Sequence, residues 1–150
     1  MSITVRAATA GDQAAITALI RSVRINPLDV KWPNFLVAVE EATGAVVATG
    51  QIKRHQDGSE ELASIGTLPA YRRQGLAHEI IRRLVAQHPQ RLYLTCLGRM
   101  GGLYETFGFR RLEPREYPPY FRRLARLARI AELGAAAGER LWVMAREGGV

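Results

Sequence analysis

A predicted strand and a predicted helix are joined by the sequence Thr67-Leu68-Pro69-Ala70-Tyr71-Arg72-Arg73-Gln74-Gly75-Leu76-Ala77. The strand ends at Pro69, a basic loop follows, and the helix begins near Gly75. Free N–H groups at a helix N-terminus, reinforced by the helix dipole, form a site for an anion. Gly75 and Ala77 leave the backbone accessible, and Arg72 and Arg73 add positive charge. The stretch therefore predicts a phosphate-binding turn, although neither the Gly-x-Gly-x-x-Gly pattern nor the P-loop pattern is present.

The patterns on either side of this turn predict an α/β fold with a mixed sheet. Alternating or continuous apolar runs predict strands at residues 3–6, 35–39, 46–52, 61–68, 92–97, 109–112 and 141–145. Helical spacing predicts a first helix that Asp12 caps, followed by helices at residues 75–87, 101–107 and 119–133. A strand, a helix and a strand in succession require a crossover, which makes the two strands parallel. No repeat or linker interrupts the chain, so residues 1–150 are predicted to form a single domain.

Composition excludes several classes of protein. Of the 150 residues, 47% are hydrophobic and 23% are charged, which is not the composition of a disordered chain. No apolar run approaches the roughly 18 residues that a membrane span needs, and the N-terminus lacks a secretion signal. A single cysteine, Cys96, allows neither an internal disulfide nor a cysteine zinc site. We therefore expect a cytoplasmic protein without a metal and without a membrane partner.

The positive charge is scattered over the sequence. The net charge is +7, and 19 arginines accompany only 2 lysines, with no run of arginines longer than two. Such a charge favours anionic partners in general. The scatter favours a solvated basic surface, so we do not expect nucleic acid as a partner.

A second motif, Leu103-Tyr104-Glu105-Thr106-Phe107-Gly108-Phe109, begins 26 residues after Ala77. Together with the Arg72–Ala77 segment and the order of elements, it resembles the GNAT superfamily of acyl-CoA N-acyltransferases. Residues 72–77 resemble its pyrophosphate loop, residues 67–69 its strand end of the form Val-x-Pro, and residues 104–109 its Tyr-Glu-x-x-Gly-Phe segment. The resemblance implies a central sheet that is flanked by helices and splayed at an acetyl-CoA cleft.

The resemblance also implies roles for individual residues. Thr67 would contact the pantetheine of acetyl-CoA, with Leu68 beside it, and Arg72 and Arg73 would flank the pyrophosphate. Backbone N–H groups would be offered to the pyrophosphate by Gln74, Gly75, Leu76 and Ala77.

Two further residues are candidates for proton transfer. Tyr104 corresponds to the family's frequent general acid, because a phenol can protonate a departing thiolate. The alternative is a packed tyrosine whose hydroxyl is satisfied elsewhere. Glu61 matches the base of the histone-type branch, and its spacing of six residues from Thr67 would put both side chains on one face of a strand. The alternative is that a water chain accepts the proton of the amine and that Glu61 is an ordinary exposed glutamate.

Other candidates have simpler interpretations. Cys96 is expected to be a small hydrophobic residue rather than an acyl carrier. His55, His78 and His88 show no metal-ligand spacing. Trp32 and Phe35 fit either an acceptor pocket or the core.

The helix at residues 119–133 departs from the simple family pattern. Its apolar stripe contains Phe121, Leu124, Leu127 and Leu133, and its other face carries Arg122, Arg123, Arg126 and Arg129. We expect the stripe to pack on its own domain, with the arginines outward. A homodimer contact and a basic face for nucleic acid or membrane are the alternatives.

The sequence thus predicts an N-acetyltransferase that uses acetyl-CoA and a primary amine in a ternary complex. The acceptor stays open among a free amino acid, a polyamine, an antibiotic and a protein N-terminus. The rival functions are a non-catalytic binding module for an anionic partner such as RNA, and a transferase for a longer acyl-CoA.

Overall fold

A computed structural model describes residues 2–133 and 139–148 of the chain. The described residues form the strands β1 (Ile3–Ala7), β2 (Phe35–Glu40), β3 (Ala45–Arg54), β4 (Glu60–Thr67), β5 (Leu92–Leu97), β6 (Arg110–Arg111) and β7 (Leu141–Arg146). They also form the helices α1 (Gln13–Ser22), α2 (Leu76–Gln87), α3 (Gly101–Glu105) and α4 (Pro119–Ala131). All predicted elements are present, with bounds that differ by a few residues. β3 is longer than predicted by three residues, and α3, β6 and α4 are each shorter by two.

The strands form one mixed sheet in the order β1-β2-β3-β4-β5-β7-β6. β4 and β5 are parallel, because the crossover helix α2 lies between them in the chain. β1 with β2, β2 with β3, β5 with β7 and β6 with β7 are antiparallel. The predicted α/β class with a mixed, helix-flanked sheet is confirmed. That the sheet splays at an acetyl-CoA cleft stays a prediction.

The chain divides into two compact units. The first contains Met1–Lys53 and Leu62–Gln87, and the second contains Arg54–Glu61 and His88–Val150. The prediction that residues 1–150 form a single domain stays a prediction.

In the first unit, α1 packs its apolar face on the antiparallel strands. Ile16, Leu19 and Ile20 are buried together with Phe35 and Val37. Burial of such side chains contributes on the order of 1.5–3 kcal/mol each. Phe35 is therefore a core residue, and Trp32 packs against the same cluster.

Asp12 precedes α1, as predicted, but its carboxylate does not cap that helix. It accepts hydrogen bonds from the backbone N–H of Thr9 at 2.8 Å and from the guanidinium of Arg6 at 2.7 Å. The hydrogen bond from Arg6 is the main cause that lowers the pKa of Asp12 to about 2. The residue thus joins β1 to the short turn before α1. It closes a capping box with Thr9 on that turn, so the predicted cap is on the turn that leads into α1 and not on α1 itself.

In the second unit, β5 and β7 pair from Leu92 with Arg146 to Leu97 with Leu141. A buried cluster contains Leu112, Phe121, Val143 and Ala145. Phe121, in the first turn of α4, anchors that helix in this cluster.

The predicted packing of α4 is only partly correct. Phe121 is fully buried, but Leu127 is 69% exposed and Leu133 is 84% exposed. The C-terminal part of the stripe therefore projects into solvent. The four predicted outward arginines are exposed. Among the described residues, no helix combines the length and apolarity needed to cross a membrane.

Candidate functional site

The residues predicted to bind pyrophosphate lie together in one exposed turn of the first unit. A short 3-10 turn, Pro69–Tyr71, follows β4, and α2 begins at Leu76. Arg73 and Gly75 both adopt left-handed backbone conformations, with φ of 64° and 78°. The Arg72 side chain donates a hydrogen bond from Nε to the carbonyl of Thr67 at 3.3 Å. Thr67 and Leu68 are half-buried at the end of β4, next to the turn.

Gly75 leaves open space directly before α2. A Cβ atom built at this glycine would meet no other heavy atom within 4 Å. The N–H groups in the first turn of an α-helix have no partner within the helix, and the helix dipole makes this end positive. Glu79, in the same turn, is bound by Arg82 and Arg83, which lower its pKa to about 2. The turn therefore has the donors, space and charge to bind an anion.

Two contacts hold this turn against the strands of its own unit. The N–H of Leu68 donates to the carbonyl of Val47 at 2.9 Å. The Tyr71 hydroxyl donates to the buried carboxylate of Glu40, which raises the pKa of Tyr71. Sequence reasoning missed this pair, because residues 31 positions apart gave no local signal.

β4 does not alternate regularly along its length. Ser64 has a φ of 58°, a left-handed conformation in the middle of a strand. Strict alternation of side chains requires extended backbone throughout. The argument from the spacing of six residues is therefore interrupted at Ser64, and that Glu61 and Thr67 share a face stays a prediction.

Tyr104, in the second unit, lies on α3 and is half-buried. Its ring packs edge-on against Phe109, with ring centroids 6.2 Å apart. Gly101 holds α3 close to β7, because a Cβ atom there would lie 2.3 Å from the Trp142 ring. Burial, and to a lesser degree Cys96, raises the pKa of Tyr104 to about 12. Tyr104 is therefore a protonated hydrogen-bond donor at neutral pH.

Cys96 behaves as a small packed residue. Its Sγ lies 3.8 Å from Sδ of Met144, and burial raises the pKa of its thiol to about 11. A thiolate, not a thiol, is the effective nucleophile. The pKa therefore favours the predicted packing role over an acyl-enzyme role.

Glu61 is buried rather than exposed, and its partner is His55. The distance from His55 Nε2 to Glu61 Oε1 is 2.7 Å, and each side chain is only 8% exposed. The His55 ring stacks on Tyr120 of α4 with centroids 3.5 Å apart. Asp57 accepts the backbone N–H of Tyr120 at 3.0 Å, which fixes the start of α4 beside this pair. His55 is thus a candidate functional residue that sequence reasoning missed; its six-residue distance from Glu61 was the only available signal.

No cluster of three or more His, Cys, Asp or Glu side chains able to hold a metal occurs in residues 2–133 and 139–148.

Comparisons with solved structures find similar folds. N-acetylglutamate synthase from Neisseria gonorrhoeae, complexed with coenzyme A and N-acetyl-glutamate, has 17% identity and a TM-score of 0.76 over 100% of this chain. This chain spans only 36% of the synthase chain. Rv2747 from Mycobacterium tuberculosis, in complex with CoA, has 21% identity and a TM-score of 0.70, with 96% of this chain and 98% of that chain covered.

A third similar structure is the ribosomal-protein-S18-alanine N-acetyltransferase from Escherichia coli. It has 17% identity and a TM-score of 0.69, with 99% of this chain and 96% of that chain covered. A search of curated protein sequences finds no match. At identities this low, the TM-scores show a shared fold alone.

The family itself is established by sequence. The model of the acetyltransferase (GNAT) domain matches residues 31–111, which is more than half of the 150 residues. The match includes the Arg72–Ala77 turn, Glu61 and Tyr104. This chain belongs to the GNAT acetyltransferase family.

Proposed function

We propose that this protein transfers an acetyl group from acetyl-CoA to the primary amine of an acceptor, by direct attack in a ternary complex. The observation that carries the proposal is the Arg72–Ala77 turn, an exposed turn with open space at Gly75 directly before α2, in a chain of the GNAT family. Similar folds that bind CoA support the choice of an acyl-CoA as the donor.

The turn would hold the pyrophosphate of acetyl-CoA. Backbone N–H groups of residues 74–77 would bind its oxygens, because Gly75 leaves them uncovered. Charge from Arg72 and Arg73 would strengthen these hydrogen bonds, as ionised partners do. Thr67 and Leu68, at the adjoining strand end, would contact the pantetheine.

The reaction forms a C–N bond and breaks a C–S bond. The neutral amine attacks the thioester carbonyl, and sulfur leaves with the electron pair of the C–S bond. Tyr104 would donate a proton to that sulfur. With the pKa of Tyr104 at about 12, full proton transfer to a thiolate whose thiol has a pKa near 8.5 is uphill by about 5 kcal/mol. A turnover of 1–10³ per second allows a barrier of roughly 13–17 kcal/mol, so the step is feasible.

Glu61 would receive the proton that the amine loses. Its Oε1 is already bound to His55, so the second carboxylate oxygen is the atom we assign to this role. The His55 contact would fix the direction of the carboxylate, which a general base needs. A water chain to solvent remains the alternative route for the proton.

A panel of amines tests the proposal, with free CoA as the readout. We expect acetyl-CoA to raise the melting temperature, because a ligand at 100 times its Kd stabilises the folded state by roughly 2.7 kcal/mol. We also expect at least one amine to release CoA. A protein that binds RNA but shows no shift with acetyl-CoA would support the binding-module rival. Larger shifts with propionyl- or succinyl-CoA would indicate a longer acyl donor.

A further inference from the structure

The exposed side of α4 carries a row of aliphatic side chains. Leu127 is 69% exposed and Ile130 is 72% exposed, and both lie in the C-terminal half of the helix. Residues three apart on a helix are neighbours on its surface, so these two side chains are adjacent. Leu133, two residues after the helix, continues the spacing and is 84% exposed. Single exposed hydrophobic residues are common, whereas a contiguous apolar patch indicates an interaction site.

The same side of α4 is basic. Four exposed arginines of the helix form no ion pair with a carboxylate in the part of the chain that the structure describes. These are Arg122, Arg123, Arg126 and Arg129. Arg123 precedes Leu127 by four residues, and Arg126 precedes Ile130 by four, which makes each pair neighbours on the helix surface. We call Arg123, Arg126, Leu127 and Ile130 the α4 surface.

Contacts in the first turn of α4 fix which side of the helix faces solvent. Phe121 is fully buried in the cluster that contains Val143. Tyr120 stacks on His55, and its backbone N–H donates to Asp57 at 3.0 Å. The helix cannot rotate to bury the α4 surface without losing these contacts. Both of its aromatic residues are engaged in packing.

A second copy of the chain does not match the charge of the α4 surface. In a two-fold symmetric contact, the same patch of each subunit meets itself. Arg123 and Arg126 of one copy would then approach those of the other, and Pro119–Ala131 contains no Asp or Glu that could pair with them. Like charges placed together across an interface oppose association.

RNA would satisfy only the basic part of the α4 surface. Its phosphates suit guanidinium groups, but proteins that bind single strands stack the bases on aromatic side chains. Tyr120 and Phe121 are engaged in packing, and a phosphate backbone offers no apolar partner to Leu127 and Ile130. An anionic lipid bilayer offers both kinds of partner, because its phosphates lie directly above its hydrocarbon.

We propose that the α4 surface docks this protein reversibly on an anionic lipid bilayer, with α4 lying in the plane of the membrane. Basic amphipathic helices bind in this way, with their aliphatic side chains at the boundary between head groups and acyl chains. The stems of Arg123 and Arg126 are long enough to keep the guanidinium groups at the phosphates while Leu127 and Ile130 insert. The sequence left a membrane face open as an alternative for this helix. The inference does not depend on the proposed function.

Cosedimentation of the full chain with lipid vesicles tests the proposal. One kind of vesicle contains equal parts of phosphatidylglycerol and phosphatidylcholine, and the other contains phosphatidylcholine alone. Two double variants change the α4 surface. The first is Arg123→Gln with Arg126→Gln, and the second is Leu127→Ser with Ile130→Ser.

Matched controls change exposed residues of the other compact unit. Arg21→Gln with Arg24→Gln removes two exposed arginines at the end of α1. Leu28→Ser removes an aliphatic side chain that is 66% exposed. Surface substitutions usually change stability little, so the melting temperatures of all variants should remain close to that of the wild type.

We expect the wild type to bind the anionic vesicles, to bind phosphatidylcholine vesicles much more weakly, and to dissociate as salt screens the charges. An arginine near an anionic membrane contributes about fivefold to binding, so Arg123→Gln with Arg126→Gln should weaken it roughly 25-fold. Leu127→Ser with Ile130→Ser should weaken it on the order of tenfold, because the apolar insertion is lost. Both controls should bind like the wild type.

Failure of the wild type to bind the anionic vesicles would overturn the proposal. An equal loss with Arg21→Gln and Arg24→Gln would also overturn it, since net charge alone would then attract the protein. Unchanged vesicle binding by Leu127→Ser with Ile130→Ser would show that no side chain inserts, and RNA binding that requires the same arginines would then assign the surface to RNA. A dimer in sedimentation equilibrium that Leu127→Ser with Ile130→Ser dissociates would instead assign it to a second copy.

Discussion

Substituting Gly75 by valine tests whether the Arg72–Ala77 turn binds the pyrophosphate. The side chain would enter open space beside the N–H groups, where a phosphate must approach. Valine at a φ of 78° also strains the backbone, by roughly 1–2 kcal/mol. A loss of stability is therefore expected whether or not the turn binds a ligand, and a control must separate the two effects.

Gly44 provides that control. It lies in the turn between β2 and β3 with a φ of 74°, and a Cβ atom there also meets nothing within 4 Å. Both Gly75→Val and Gly44→Val should therefore lower the melting temperature by a similar amount. For a chain of this size, 1–2 kcal/mol corresponds to about 2–8 °C.

Affinity for CoA should distinguish the two variants. Each hydrogen bond to a charged group contributes about 1.5–3 kcal/mol, so losing one weakens binding by roughly 10- to 150-fold. Calorimetry with CoA should show this loss for Gly75→Val and an unchanged Kd for Gly44→Val. Equal Kd values in two folded variants would refute the assignment of the turn to the pyrophosphate.

Four other predictions concern the second unit. Tyr104→Phe should lower kcat by roughly 10²-fold, the low end of the range for acid catalysis, because water can also donate; a fall below threefold with chemistry rate-limiting would leave Tyr104 a packing role. Since the pKa of Tyr104 is about 12, the wild type should lose no activity through its ionisation up to about pH 10. Glu61→Gln should keep the hydrogen bond to His55 and the melting temperature but reduce kcat by at least tenfold, whereas unchanged kcat would favour the water chain. Replacing the four exposed arginines of α4 together by glutamine should change stability by within roughly 0.5 kcal/mol per site and leave CoA affinity intact; a large loss of CoA binding would place the cofactor on α4. The arginines are Arg122, Arg123, Arg126 and Arg129.

The fold could be predicted because its signals are local. Apolar periodicity identifies α2, whose buried residues are Ile80, Ile81 and Leu84. The strand–turn–helix sequence around Gly75 then fixes the parallel pairing of β4 with β5. The same stretch predicts the anion site, because the hydrogen-bond donors are backbone N–H groups. Their position depends only on the local conformation of the turn.

The candidate residues of the second unit depend on contacts that sequence patterns do not encode. The sequence left Glu61 open between a base and an ordinary exposed glutamate. In the structure it is buried beside His55, whose ring stacks on Tyr120. Tyr120 lies about sixty residues further along the chain. The exposure of the Leu127 and Leu133 side chains could not be predicted either. Periodicity identifies an apolar stripe on a helix, but it does not show which residues of the stripe other elements bury.

Of the four described non-glycine residues with a left-handed backbone, two contact the side chain of Gln51. Asp29 and Ser64 adopt left-handed conformations, which are unfavourable for residues other than glycine and persist only where the surroundings impose them. These two residues are the partners of Gln51 Nε2. The amide of Gln51 therefore connects two strained residues, and its oxygen is buried without a hydrogen-bond partner among the described residues. The ammonium of Lys53, two positions further along β3, is also buried and has no carboxylate partner among the described residues. Each feature destabilises the fold, and an apolar side chain at either position would remove the cost.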